Sequence, residues 1–476
     1  MNKMRLFNFE FKKSILIIFL LLLCVFQMGI LWSEKNPGVP FPFSSQIRFW
    51  RSNDTVDLDE VKELYYRPKS ILVSDGSGDL YWPLDSKNNL YRSIWKDLKD
   101  SYFRQIIQMK PVIGDKEYER DWYSLIKMKT IILEFKNEIP SGIIRWLAGV
   151  DSSVVPAVKQ IYKLAIFPSE DINNNKNTLY VYDGHTVYKY VVTIEPGNLK
   201  KEDYEKAITT IRNSETIIPM NRLIAFYAIT EEKELLISLS DKNKKIWDLL
   251  VKTPDTIALN KNNMDNIKEN LLDESRRSII TRLSDDLTNV IFSDTEQVYR
   301  YYFNGLLDYQ YRGKEAGEKG LVEEALEKAL MFIECRKGDM IQGAGIYLSK
   351  IDETDKNYIF IFDYVMDDME IKIKKDTEKA IHPAITVHAN RDRVLDVKWY
   401  IKTFAYNDYF NEYSLFFYDF FEKQLILEYP QLKSNPVIHN ISTDYLFSEN
   451  GMRAEPYWLI ETDSKVIYLR MRGKGE

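Results

Sequence analysis

Cysteine is almost missing from this chain: its 476 residues include only Cys24 and Cys335. One lies inside an apolar run and the other far outside it, so no disulfide framework is expected and the fold must stand on packing. Histidine is nearly as scarce. His185, His382, His388 and His439 fall in segments that read as turns or strands, and no pair has the HExxH spacing of a zinc hydrolase. His382 and His388 read as half-exposed sheet residues rather than a metal pair. In VSDGSGDLYW, Asp75 and Asp79 flank two glycines but lack the alternating ligands and terminal Glu of an EF-hand, which makes the segment a turn. Also absent are a GxSxG elbow, a P-loop and a dinucleotide fingerprint, and with them the enzyme classes those motifs define. No metal or cofactor is expected. Paired carboxylates acting on a glycan follow no spacing rule, and with 71 acidic residues available that chemistry stays open.

What is present begins near the N-terminus. From Ser14 to Trp32 nineteen residues run without a charge. As a helix they span about 28 Å, close to the ~30 Å hydrocarbon core of a bilayer. A cleavable export signal has a shorter apolar region and small residues before the cut, and bacterial lipid attachment wants a small residue before the cysteine. Leu21-Leu22-Leu23 before Cys24 and Met28-Gly29-Ile30 meet neither demand, so the run reads as a permanent transmembrane helix. Residues 1–13 form a basic head with Lys3, Arg5, Lys12 and Lys13 against Glu10, which keeps the N-terminus cytoplasmic and places the rest outside the cell membrane. The chain carries −6 overall and this head +3, leaving −9 outside. An acidic ectodomain argues against nucleic acid or an anionic lipid surface as partner.

Residues 33–42, with Pro37, Pro40 and Pro42, form a stiff Pro-rich spacer. Beyond it the pattern is α+β: a multi-domain ectodomain, about three domains, of antiparallel sheets with flanking helices. An N-terminal α+β domain is expected over 43–197. There Trp95, Leu98, Tyr102 and Ile106 share a helix face, KMKTIILEFKNEIP reads as a buried strand ended by Pro140, and SGIIRWLAGV as a short helix. IYKLAIF, NTLYVYD and TVYKYVVTI are short β runs. Residues 198–287 form a middle, mainly helical region, with LNKNNMDNIKEN as a polar connector. A C-terminal α+β domain covers 288–476. Its helix GLVEEALEKALMFIECRKG aligns Val322, Ala325, Ala329 and Ile333 and can be capped by Gly338. IQGAGIYLSKI, NYIFIFDYV and MEIKIKK are strands, with Tyr358, Phe360, Phe362 and Tyr364 on one side and Asp367-Asp368 as the turn into the third.

The order of these segments resembles the YycH family, extracytoplasmic regulators of a two-component cell-wall system of Firmicutes. The resemblance runs along nearly the whole chain. It is carried by the anchor with its basic head, by TIILEFKNEIPSGIIRWL with Phe135 before Pro140, by VIFSDTEQVYR with Phe292-Ser293-Asp294, and by AEPYWLIETDSKVIYL with Pro456 and Trp458. Where members often have a Tyr-Thr-Asp-Gly turn, this chain has DYQYRG, from Asp308 to Gly313. The resemblance implies a non-enzymatic accessory regulator that works with a YycI-like protein on the sensor histidine kinase YycG, also called WalK, and whose last domain resembles YycI. The matched Phe, Pro and Trp residues read as core packing and none is a site.

With only thirteen residues before Ser14, any signal to a kinase must pass through the bilayer or through ectodomain contacts. Leu16, Leu20, Leu23 and Gln27 recur at spacings of four, three and four and define a face on which the transmembrane helix can meet partner helices. Two other function classes stay in view: an envelope glycan hydrolase using two carboxylates, and a ligand-sensing or scaffold ectodomain.

Overall fold

The computed structural model describes residues 61–471 apart from 63–64, 78–79, 113–121, 170–174, 215–219, 224–234, 238–244, 258–263, 273–279, 285–287, 315–316, 338–340, 376–380, 407–411, 415–437 and 463–465. The basic head, the apolar run, the spacer and the Gly338 cap lie outside the described residues. Among those described, no helix is long and apolar enough to cross a membrane.

Eight strands form the first sheet: β1 (Ser70–Asp75), β2 (Leu80–Leu84), β3 (Lys129–Pro140), β4 (Gln160–Phe167), β5 (Lys176–Tyr182), β6 (Val187–Thr193), β7 (Met220–Leu223) and β8 (Leu235–Ile237). Their order is β6-β5-β4-β3-β1-β2-β7-β8, every pair antiparallel. Apolar side chains sit on both faces of its centre. Leu72, Tyr81, Ile132 and Ala165 meet Trp122 and Ile126 of a short helix, while Ile71, Val73, Ile131 and Ile166 are buried on the other side. This explains why TIIL is a continuous apolar run rather than an alternating one.

The helix expected from Trp95, Leu98, Tyr102 and Ile106 is present, and all four residues are buried. It comprises α1 (Asn89–Asp97), a π turn (Leu98–Tyr102) and α2 (Phe103–Gln108). Asn88 caps it by accepting the amide of Leu90. The short helix carrying Trp122 is α3 (Trp122–Ile126); α4 (Ser141–Leu147) follows β3, and α5 (Lys201–Arg212) follows the first six strands.

The remaining strands are β9 (Lys245–Trp247), β10 (Leu249–Lys252), β11 (Ile280–Leu283), β12 (Asn289–Ser293), β13 (Gln297–Tyr302), β14 (Leu306–Tyr311), β15 (Gly345–Glu353), β16 (Tyr358–Met366), β17 (Met369–Lys374), β18 (Ile381–His382), β19 (Ile385–Ala389), β20 (Val394–Tyr400), β21 (Thr403–Tyr406), β22 (Glu412–Ser414), β23 (Ile438–Ser448), β24 (Arg453–Thr462) and β25 (Val466–Arg470). All but β9 and β22, which pair with each other, belong to a second sheet ordered β11-β12-β13-β14-β20-β19-β16-β17-β23-β24-β10-β21. In it β15 joins β16, β18 joins β17 and β25 joins β24. The β17–β23 pair is parallel.

Against this sheet lies α7 (Val322–Lys337), with Ala325, Leu326, Ala329, Leu330 and Ile333 buried and Val322 half-buried. Tyr358, Phe360, Phe362 and Tyr364 are all buried, as their alternation predicts. The stretch 198–287 contributes α5, strands β7 to β11 and the helix α6 (Met264–Leu271). α6 falls within the segment read as a polar connector. Ile267 and Leu271, four apart on one face, are fully buried, and that spacing outweighs the polar residues around them.

Candidate functional site

The two sheets meet at a pair of bulges. Between Glu134 and Ile139, β3 loses register with β4, so that Phe135, Lys136, Asn137 and Glu138 oppose the single Tyr162. In β15, Ser349 is an extra residue between Leu348 and Lys350. Bulges re-aim side chains and interrupt the ladder, and here each completes the other: the Asn137 amide donates to the carbonyl of Ser349. Phe135 turns back to meet Trp95, with ring centroids 6.3 Å apart. The bulges line a small cleft with Tyr66 and Arg67.

Lys136 crosses the seam. Its ammonium bonds Glu370 of β17 and lies 3.6 Å from Asp363 of β16. Lys372 lies 2.5 Å from Asp363 and 2.6 Å from Glu370, and Tyr347 of β15 donates its hydroxyl to Glu370. The cluster is largely dry: the Asp363 side chain is 2% exposed and those of Glu370 and Lys372 13%. Burial by itself would raise Glu370, but Lys372 and Lys136 outweigh it and hold the carboxyl well below its ordinary value. Burial works against the Lys372 charge in the same way, and Asp363 and Glu370 hold its ammonium well above the ordinary value. The carboxylates of Asp363 and Glu370 are answered by these lysines, an arrangement that joins two sheets.

A second contact joins helices. α4 begins after Pro140, whose fixed φ suits a helix start. From it Arg145 lies 2.7 Å from Glu323 of α7, both side chains 11% exposed, and donates to the carbonyls of Ser152 and Val154. Trp146 donates its indole N–H to Glu327 at 2.8 Å. Gly142 makes the approach possible: a Cβ there would stand 2.7 Å from Val322 Cγ1 and closer still to the Glu323 carboxylate.

A third contact uses the β16–β17 turn. Asp367 and Asp368 both adopt left-handed φ, 50° and 63°. Non-glycine residues rarely take this conformation, and Asp is among those that tolerate it. Asp367 meets Lys87 at 2.7 Å and accepts from Tyr406; Asp368 accepts from the Ser86 amide and lies 3.7 Å from Arg67. The turn between strands is where the sequence placed it, and it reaches back to the first sheet.

Of the sequence-derived residues, Leu16, Leu20, Leu23 and Gln27 lie outside the described residues. Phe292 and Trp458 are buried in the second sheet. Asp294 accepts the amides of Glu296 and Gln297, closing the β12–β13 hairpin. In DYQYRG, Asp308 pairs with Arg300 at 3.3 Å, and Tyr311 accepts from Arg393. His382 and His388 sit on β18 and β19, opposite Ile373 and Asp396. Among the described residues no group of three His, Cys, Asp or Glu is placed to hold a metal ion. The seam residues Lys136, Asn137, Asp363, Glu370 and Lys372 were not singled out by sequence reasoning. For Lys136 and Asn137 the polar interruption KNE inside an apolar strand marks an irregularity but not its partners, and Asp363, Glu370 and Lys372 carry no such mark.

Two sheets joined by facing bulges, with helices packed against them, make a YycH-like fold. The chain is similar to the crystal structure of YycH from Bacillus subtilis, with a TM-score of 0.52 over 85% of this chain and 95% of that one, at 15% identity. At that identity the likeness is one of fold. No protein-family model and no curated protein matches the sequence.

Proposed function

We propose that this chain is a membrane-anchored, extracytoplasmic accessory regulator of a sensor histidine kinase of the YycG/WalK type, acting without catalysis and together with a YycI-like protein. The observation that carries the reading is the YycH-like fold, which spans nearly the full length of the YycH chain it was compared with. The character of the seam supports it: its buried charges are spent on joining two sheets, which suits a rigid body that works by contact. In this reading the apolar run Ser14–Trp32 anchors the protein with the head inside, the spacer 33–42 holds the ectodomain off the bilayer, and the face of Leu16, Leu20, Leu23 and Gln27 meets partner helices. The ectodomain divides at about 197 and 287, and its last part, 288–476, takes the YycI-like role.

The test is affinity capture of the full-length chain from membranes that also hold the kinase and the YycI-like protein. Both should co-purify with it, and a chain in which Ser14–Trp32 is replaced by an unrelated apolar helix should retain less kinase. Capture of neither partner, or release of soluble fragments from purified peptidoglycan by the same preparation above a heat-killed control, contradicts the reading.

A further inference from the structure

Among the described residues the seam has more acids than bases. Asp363 and Asp444 are buried there and Glu370 is largely covered, against two ammonium groups, Lys136 and Lys372. Asp444 enters from β23, whose parallel pairing with β17 sets Ile371 opposite Tyr445 and so brings Asp444 alongside Glu370. On β24 it pairs opposite Tyr457, and its charge reaches the hydroxyls of Tyr468 on β25 and Tyr347 on β15. From the first sheet come Lys136, within the cluster, and Lys69, which is exposed and whose charge water screens. With both lysines already engaged by Asp363 and Glu370, no ammonium among the described residues is left for the third buried carboxylate alone. Such a group takes up a proton rather than remain charged.

We propose that the seam between the two sheets binds one proton at Asp444, and that loss of this proton loosens the contact of β3 with the second sheet. The joint is then a pH-sensitive device built into the fold. Burial, and after it the neighbouring Glu370, push Asp444 up to about 7, which puts the change near neutrality. The sign follows from that direction. A carboxyl raised in the closed state favours closure fully at low pH; this is lost progressively as pH rises from the open-state value of about 4 through the closed-state value.

The test is amide hydrogen exchange on the full-length protein in detergent, corrected for the intrinsic pH dependence of exchange. Between pH 5.5 and 8, protection of Phe135–Ile139 and Leu348–Ile351 should fall roughly thirtyfold, the factor that such a raised carboxyl implies. Asp444→Asn should abolish that fall. Glu370→Gln, which removes the neighbouring negative charge, should move its midpoint to lower pH and serves if Asp444→Asn does not fold. A variant with His382→Gln and His388→Gln should behave as the wild type. The proposal is overturned if protection of these segments does not change with pH, if Asp444→Asn keeps the change, if Glu370→Gln leaves the midpoint in place, or if the histidine variant removes it.

Discussion

Arg145 and Glu323 show how much one residue can carry when its partner is buried. Truncating one member of a buried pair leaves the other uncompensated, at about 3–5 kcal/mol, whereas replacing both with apolar residues is often close to neutral. Arg145→Ala should therefore lower stability in urea by about 3 kcal/mol or more, and the double variant Arg145→Leu/Glu323→Leu by much less. Equal losses would mean that the pair is not the source. The turn residues behave differently, because the ion pairs of Asp367 and Asp368 are exposed and each worth only ~0–1 kcal/mol. Asn-Gly suits two successive left-handed residues better than Asp-Asp. Asp367→Asn/Asp368→Gly should leave overall stability within about 1 kcal/mol while lowering amide protection at Ser86 and Lys87. A loss of several kcal/mol would show that the turn anchors the sheets by itself. Glu370, held low by Lys372 and Lys136 against burial, contributes stability that is present above its unfolded value of about 4.5 and is lost as pH falls below it. Glu370→Gln should flatten that acid limb in denaturation curves collected below pH 5. None of these partnerships was legible in the sequence, since residues such as Lys136 and Glu370 are separated by more than two hundred positions and nothing local marks them as neighbours.

Periodic elements were the legible part. Trp95, Leu98, Tyr102 and Ile106 announce their helix because one apolar face must be covered, and Tyr358 to Tyr364 announce β16 in the same way. The π turn inside the helix left no mark. The bulges of β3 and β15 were not legible either, because a bulge is a mismatch between two strands and only one strand is read at a time. α6 reads as a connector in the sequence because polar residues outnumber apolar ones there, whereas Ile267 and Leu271 are buried. Ile267→Ala should accordingly cost about 2–5 kcal/mol in urea unfolding, as for a core residue; a change under 0.5 kcal/mol would return the segment to a connector. Where α4 meets α7, Gly142→Ala forces a methyl against Val322 and Glu323, and overpacking of this kind costs about 1–3 kcal/mol. An unchanged urea midpoint would show that the helices are free to part.

At the scale of the molecule, two sheets are locked by a charged seam, and the fold they make is YycH-like. The sequence carried this far because the order of its segments is a property of the whole chain, whereas the seam is a property of pairs. In the function proposed above, this body is tethered by Ser14–Trp32 and sets the output of a sensor kinase. The most direct measurement is the autophosphorylation rate of that kinase in proteoliposomes, alone, with the full-length chain, and with a chain whose Ser14–Trp32 is exchanged for an unrelated apolar helix. The account predicts a several-fold change in rate with the full-length chain and its loss with the exchanged helix; a rate that is the same in all three preparations would contradict it.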